Sequence, residues 1–335
     1  MADLDREADV AEAVRDADRS GERLFVLGEG SNVVVGDAGF PGLVVRMRTI
    51  GIDVSRQGDR VILDVAAGES WDALVARAVG EGWRGLECMS GIPGLVGGTP
   101  IQNVGAYGQE VGDTITRVRV YDRDAAAFVD MDRSACGFGY RASLFKRNDR
   151  YVVTSVRFDL EVGDESVPLR YAELTAALGV DAGARVPLRR ARETVIALRR
   201  RKGMVIDPQD PDSVSAGSFF VNPVVGAAKL AEVESLASER LPRFDAGEGL
   251  FKLAAAWLVE RAGFSKGWGA GRVGVSRKHA LALVNRGGAT ADELLSVART
   301  IGRGVHARFG VRLEPEPVLV GCSWESGQEG GLQGD

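Results

Sequence analysis

Histidine is the scarcest chemistry-bearing residue in this 335-residue sequence, present only as His279 and His306. Two histidines give no reserve for a Ser-His-Asp triad and weigh against a histidine-based metal site, so no metal is expected. A general acid would then come from Ser, Tyr, Lys, Glu or Asp. Cysteine is nearly as rare. Cys88, Cys136 and Cys322 lie far apart and in no C-x-x-C spacing, which excludes a disulfide framework and suits a reducing cytoplasm. No apolar run reaches the ~18 residues of a membrane span, and the N-terminus is acidic rather than a basic leader. A soluble cytoplasmic protein with no membrane partner is expected. Lys/Arg patches with interleaved aromatics are also missing and the net charge is −5, which argues against nucleic acid.

Glycine, by contrast, is abundant: 44 residues, well above the usual ~7%. It concentrates in Gly91 to Gly108, GIPGLVGGTPIQNVGAYG, where six of eighteen residues are glycine. So dense a run loses much backbone entropy on folding, which calls for a use. One use is to let successive N–H groups approach a polyanion such as a pyrophosphate. Another is a chain of tight turns set by Pro93 and Pro100. Composition leaves both open. The stretch has no G-x-G-x-x-G between strand and helix and no G-K-[ST], so neither a Rossmann turn nor a P-loop is supported.

The chain is long enough for two or three domains. A surface helix is expected over Asp5–Ala17, then strands Leu24–Leu27 and Val33–Val35 around Gly28-Glu29-Gly30-Ser31-Asn32. That turn suits either phosphate donors or a plain hairpin. Strands Leu43–Met47 and Val61–Ala66 precede a helix that Ser70 can cap, carrying Trp71, Leu74, Val75 and Ala78 on one face. Strands Thr116–Tyr121, Ala127–Met131 and Tyr151–Leu160 close a first unit near Glu161. Helices Tyr171–Leu178 and Pro187–Lys202 form a bridging region. The basic run Arg199–Lys202 reads as a solvated face or as a contact to an anionic ligand. A last unit holds helices Ala227–Ser238, Leu253–Arg261 and Ala291–Phe309, the third opened by the capping box Thr290-x-x-Glu293. Strands Leu281–Val284, Val311–Leu313 and Val318–Val320 would pack against them. Beyond Gly321 the polar, Gly-rich tail is expected to be disordered.

Several segments stand in one order: LGEGSNVVV at 27–35, GIPGLVGGTPIQNVGAYGQEVGD at 91–113, CGFGYRASLFK at 136–146, RKGMVIDPQDPDSVSAGSFFVNPVV at 201–225, KLAAAWLVERAG at 252–263 and GVRLEPEPVLVG at 310–321. Together, from about residue 5 to 321, they resemble the UDP-N-acetylenolpyruvoylglucosamine reductase (UDP-N-acetylmuramate dehydrogenase) family, in its longer form with an inserted substrate-facing region. The resemblance implies an α+β fold: a two-lobed FAD-binding module of the vanillyl-alcohol oxidase (PCMH) type, followed by a smaller α+β substrate domain. The expected division is 1–161 for the flavin module, 162–215 for the bridge, 216–322 for the C-terminal domain and 323–335 for the tail.

The same resemblance implies non-covalent FAD held by Gly28, Gly30, Ser31 and Asn32 and by Gly91, Ile92, Pro93, Gly97, Gly98, Gln102, Asn103, Gly105, Ala106 and Tyr107. It implies NADPH as co-substrate, hydride delivery through the flavin to an enolpyruvyl double bond, and a proton from Ser218, with Arg141 and Glu316 as its partners. A serine acid needs a cation and a hydrogen-bond network behind it. Tyr171, Lys202 and Asn222 are implied for the nucleotide-sugar substrate, and a monomer is expected. Some features depart from the family pattern. The chain starts at its first helix, Pro317 follows Glu316, and Ser276-Arg277-Lys278-His279 replaces a His/Gln-rich segment. No histidine lies in the N-terminal unit, which excludes a histidyl-flavin link there. Read without the resemblance, Ser218, Arg141 and Glu316 are also compatible with ordinary strand, ion-pair and loop positions. A flavin oxidase of the same fold and a non-catalytic flavin or nucleotide-sugar binder are the competing functions.

Overall fold

Hydrophobic alternation along Arg60–Ala66 points Val61, Leu63 and Val65 to one side, and this strand sits inside the larger sheet of the protein. In the computed structural model, which describes residues 1–325, the chain divides into two compact units. The first comprises Met1–Gly30 and Pro41–Arg200; the second comprises Ser31–Phe40 and the chain from Arg201 onward. These limits differ from the boundaries expected at 161 and 215, because the chain enters the second unit early, leaves it, and returns.

In the first unit the larger sheet orders its strands Ala127–Asp132, Ile115–Asp122, Tyr151–Val162, Arg60–Ala66 and Ile52–Gln57, all antiparallel. The edge strand Ile52–Gln57 escapes sequence reading because it is almost wholly exposed and shows no apolar alternation. A smaller parallel sheet joins Ala2–Leu4, Leu43–Met47 and Leu24–Leu27. The chain therefore starts in a strand, where the sequence reading starts in a helix. Helix α1 (Glu7–Ser20) lays Val10, Ala11 and Val14 on the small sheet. Helix α2 (Trp71–Gly80) buries Trp71, Leu74 and Val75 against Val61, Leu63 and Phe158 of the large one.

Helices α3 (Ala172–Leu178) and α4 (Leu188–Arg201) pack Leu174, Leu178, Ala191, Val195 and Leu198 with Cys88. That shared core places most of the expected bridge, up to Arg200, within the first unit. An apolar stripe on a helix must be buried somewhere, and here it is buried close to the Gly-rich stretch.

In the second unit, Val33–Val35 pairs in parallel with Val318–Val320. Helices α5 (Ala227–Ser235), α6 (Ala255–Arg261) and α7 (Ala291–Phe309) enclose Phe219, Phe220, Leu258, Leu295, Ile301, Val305 and Phe309. The capping box at Thr290 and Glu293 is formed as expected. The Asp37 carboxylate, from the early segment, accepts from the Ala291 N–H at the same helix start, 3.1 Å away. Two expectations shift. Leu283–Asn285 is the strand, paired with an unforeseen Val273–Val275, and Val311–Leu313 buries two side chains without joining a ladder. The expected disordered tail begins as packed chain. Trp324 lies 6.0 Å from the Phe220 ring, and Arg299 donates to its carbonyl. Residues 326–335 of that tail lie outside the described residues.

Candidate functional site

Each unit carries its own share of the expected site residues. In the first, the Gly-rich stretch follows α2 and is tied to it. Gly91 N–H donates to Asp72 Oδ1 at 2.6 Å and Gly94 N–H to Glu29 Oε2 at 3.0 Å. Gly97 N–H donates to the Ala67 carbonyl and Gly98 N–H to that of Leu95. The expected row of glycine N–H groups facing a polyanion is therefore absent from 91–98, since these four amides already have protein acceptors. The glycines are needed for other reasons. A Cβ on Gly97 would lie 2.6 Å from the Ala67 Cβ, while Gly91 and Gly94 take positive φ. Gly98 is the exception. It is exposed, and an added Cβ would meet nothing within 4 Å. Open space beside a glycine that the fold itself does not require is what a ligand cradle offers, so the stretch fits a bound dinucleotide.

Three other expected residues share a strained backbone. Asn103, Tyr107 and Arg141 have φ of 46°, 48° and 52°, a region that side chains with a Cβ rarely adopt. Surrounding bonds hold them there. Asn103 Nδ2 donates to Glu110 Oε2 at 2.8 Å and to the Gly139 carbonyl at 3.0 Å, and its Oδ1 accepts from Gly112 N–H. Arg141 Nη2 donates to the Gly105 carbonyl at 2.7 Å, and Lys146 Nζ donates to the Arg141 carbonyl. Gly105 and Ala106 form a two-residue ladder with Gln109 and Glu110. Ile92 packs on the large-sheet core, and Pro93 and Gln102 are half-buried. The Tyr107 and Tyr171 rings meet edge-on at 5.4 Å, so an expected flavin residue touches an expected substrate residue. Burial, with Glu173 and Tyr140 nearby, raises the Tyr171 pKa and keeps its phenol a donor.

An ion network underlies this loop that sequence reading missed. Arg192 on α4 grips Asp72 on α2 with two bonds, 2.6 and 2.9 Å. Burial would raise the Asp72 pKa, but the bonds from Arg192 and Gly91 N–H outweigh it and hold the carboxyl below its ordinary value. The basic run is not uniform. Arg200 and Arg201 are exposed, whereas burial lowers the pKa of Arg199 while Tyr107 and Asp72 act against that fall.

The plain-hairpin reading of 28–32 does not hold. Leu24–Leu27 and Val33–Val35 pair with different partners in different units. Gly28 is exposed and Gly30 has φ 71°, while Ser31 and Asn32 belong to the second unit. There Asn32 Nδ2 donates to the Glu316 carbonyl at 3.5 Å and its carbonyl accepts from Val318 N–H at 2.9 Å. Glu316 N–H in turn donates to the Phe219 carbonyl at 2.8 Å, one residue from Ser218. Backbone bonds thus bring Asn32, Ser218 and Glu316 onto one frame. Asn222 Oδ1 accepts from Ala255 N–H at the start of α6. Lys202 is half-buried just past α4. The residue that sequence reading did not assign is His279, whose Nε2 lies 3.2 Å from Ser218 Oγ.

Residues 2–128 match the FAD binding domain family, and residues 208–320 match the C-terminal domain of UDP-N-acetylenolpyruvoylglucosamine reductase. The reductase of that name from Thermobifida fusca is 51% identical over 92% of this chain and 89% of its own. The chain belongs to the UDP-N-acetylenolpyruvoylglucosamine reductase family. The Streptomyces coelicolor member is 52% identical over 95% of this chain and 84% of its own. The crystal structure of the Thermus caldophilus reductase covers 95% of this chain and 91% of its own, with 25% identity and a TM-score of 0.64. Membership in this reductase family makes the chain an FAD-dependent oxidoreductase. Among the described residues no helix is long and apolar enough to cross a membrane, and no cluster of three His, Cys, Asp or Glu is placed to hold a metal.

Proposed function

We propose that this protein reduces the enolpyruvyl group of UDP-N-acetylglucosamine enolpyruvate to UDP-N-acetylmuramate, using NADPH and non-covalently bound FAD. The observation that carries the reading is the Glu316 N–H to Phe219 carbonyl bond of 2.8 Å, which fixes the carboxyl-bearing and hydroxyl-bearing segments side by side. Bound FAD supplies the hydride transfer. Gly28, Gly30, Ser31, Asn32 and the stretch from Gly91 to Tyr107 hold it. Ser218 Oγ gives a proton to the substrate carbon next to the one that receives hydride. Arg141, anchored through the Gly105 carbonyl, faces the substrate carboxylate with its positive charge as negative charge develops there. Glu316 completes that environment. Tyr171, Lys202 and Asn222 supply a phenol, a cation and an amide donor to the UDP and sugar.

The enzyme acts in the cytoplasm as a monomer, and its product serves peptidoglycan synthesis and, through the cell wall, cell shape, division and the cell cycle. Anaerobic titration tests the reading. NADPH should bleach the yellow protein, and the enolpyruvyl sugar nucleotide should restore its colour faster than dioxygen does. In Ser218→Ala, bleaching by NADPH should survive while reoxidation by substrate falls at least ~10²–10⁴-fold. Equal losses in both halves would make Ser218 a structural residue.

A further inference from the structure

Ser218 has an unusual task under the reading above, because a serine hydroxyl holds its proton tightly and must recover it every turnover. Its side chain makes one hydrogen bond among the described residues, to His279 Nε2 at 3.2 Å. The placement of His279 is built in two layers. Ser276, fully buried, accepts the N–H groups of Lys278 at 3.0 Å and His279 at 3.3 Å on its Oγ. The turn it forms is then fixed on both sides. Ser276 N–H donates to the Ala282 carbonyl and Phe219 N–H to that of Leu281. The buried Asp212 accepts from Arg277 N–H at 3.0 Å, and Asp210 pairs with Lys278 at 2.7 Å. So many bonds around one short turn hold the imidazole against the serine hydroxyl.

We propose that His279 is the positioning residue behind Ser218: its Nε2–H donates to Ser218 Oγ and returns the proton that the serine gives up. This rests on the reading of Ser218 as the proton donor. With Nε2–H pointing at Oγ, the serine hydrogen is turned away from the ring and is free to leave. As the Ser218 O–H bond breaks and its proton joins the substrate carbon, the Nε2–H bond of the protonated ring, an imidazolium, breaks, a new O–H bond forms on Ser218 and the ring is left neutral. The neutral ring then takes up one H+ from solvent, the proton that the reduction consumes, and is cationic again. The positive charge of the ring cancels the negative charge developing on the serine oxygen, so a bare alkoxide is never left behind.

Because the chain has only two histidines, both imidazoles can be followed by nitrogen-edited NMR in the FAD-loaded protein. Ser218→Ala should shift the His279 Nε2 signal and leave that of His306, exposed on α7, in place. In rapid-mixing experiments His279→Ala and His279→Gln should bleach with NADPH at the wild-type rate and reoxidise with substrate about 10²-fold more slowly. Added imidazole should restore His279→Ala. Gln keeps a donor at this position without a transferable proton, so wild-type reoxidation in His279→Gln overturns the inference. An unmoved His279 signal in Ser218→Ala overturns it as well. If Ser218→Ala itself reoxidises normally, the wider assignment of Ser218 fails; a slow Ser218→Ala beside fast His279 variants sinks only the inference drawn from His279.

Discussion

Two adjacent glycines in the stretch 91–108 have opposite physical reasons for being glycine. Gly97 presses on Ala67, so Gly97→Ala should cost about 1–3 kcal/mol of stability through overpacking, read by chemical denaturation. Gly98 faces open space and lacks the positive φ that would bar alanine. Gly98→Ala should leave stability within about 0.5 kcal/mol of wild type and weaken FAD binding measurably by titration. Unchanged FAD affinity in that variant would remove Gly98 from the cradle. The pair shows how far the sequence could be read. Glycine density flagged the stretch, but which glycine serves the fold and which serves a ligand depends on Ala67, a neighbour thirty residues away in sequence. His279 was hidden for a similar reason. A lone histidine carries no pattern, and only the folded turn at Ser276 sets it beside Ser218.

Secondary-structure elements with one buried face were largely legible, although Val311–Leu313 buries alternate side chains and joins no ladder. The box at Thr290 and Glu293 gave the start of α7, and Thr290→Ala should lower stability by about 1 kcal/mol in thermal unfolding. The strand Ile52–Gln57 was missed because its register is set by Arg60–Ala66 and not by its own side chains. Joining α2 to α4 through Asp72 and Arg192 has a pH signature. The Asp72 carboxyl is held below its unfolded value, so its contribution is complete above the unfolded pKa of ~3.9 and is lost as pH falls through the folded one. Asp72→Asn should flatten that acid loss, and at neutral pH it should loosen Gly91, seen as faster hydrogen exchange of its amide. Acid unfolding of the variant that matches wild type would show that the pair contributes nothing.

At the scale of the molecule, sequence order misled. Contiguous boundaries at 161 and 215 followed the order of the expected elements, while the compact units interrupt the first at 30 and resume it at 41. No local pattern announces that Val33–Val35 pairs with Val318–Val320, because the partners stand near opposite ends of the chain. A fragment of residues 201–325 alone lacks that strand and the Asp37 contact to α7. It should show a broad, low-temperature melt by circular dichroism, sharpened when a peptide of residues 31–40 is added. A sharp, peptide-independent melt would show the early segment to be dispensable. The same pairing sets a schedule on the ribosome. Val33–Val35 emerges early and waits ~15–60 s, at ~5–20 residues per second, for its partner to be translated. Throughout that wait its backbone edge is open to any passing strand, so the nascent chain is most exposed to aggregation in the interval before its last segment leaves the exit tunnel.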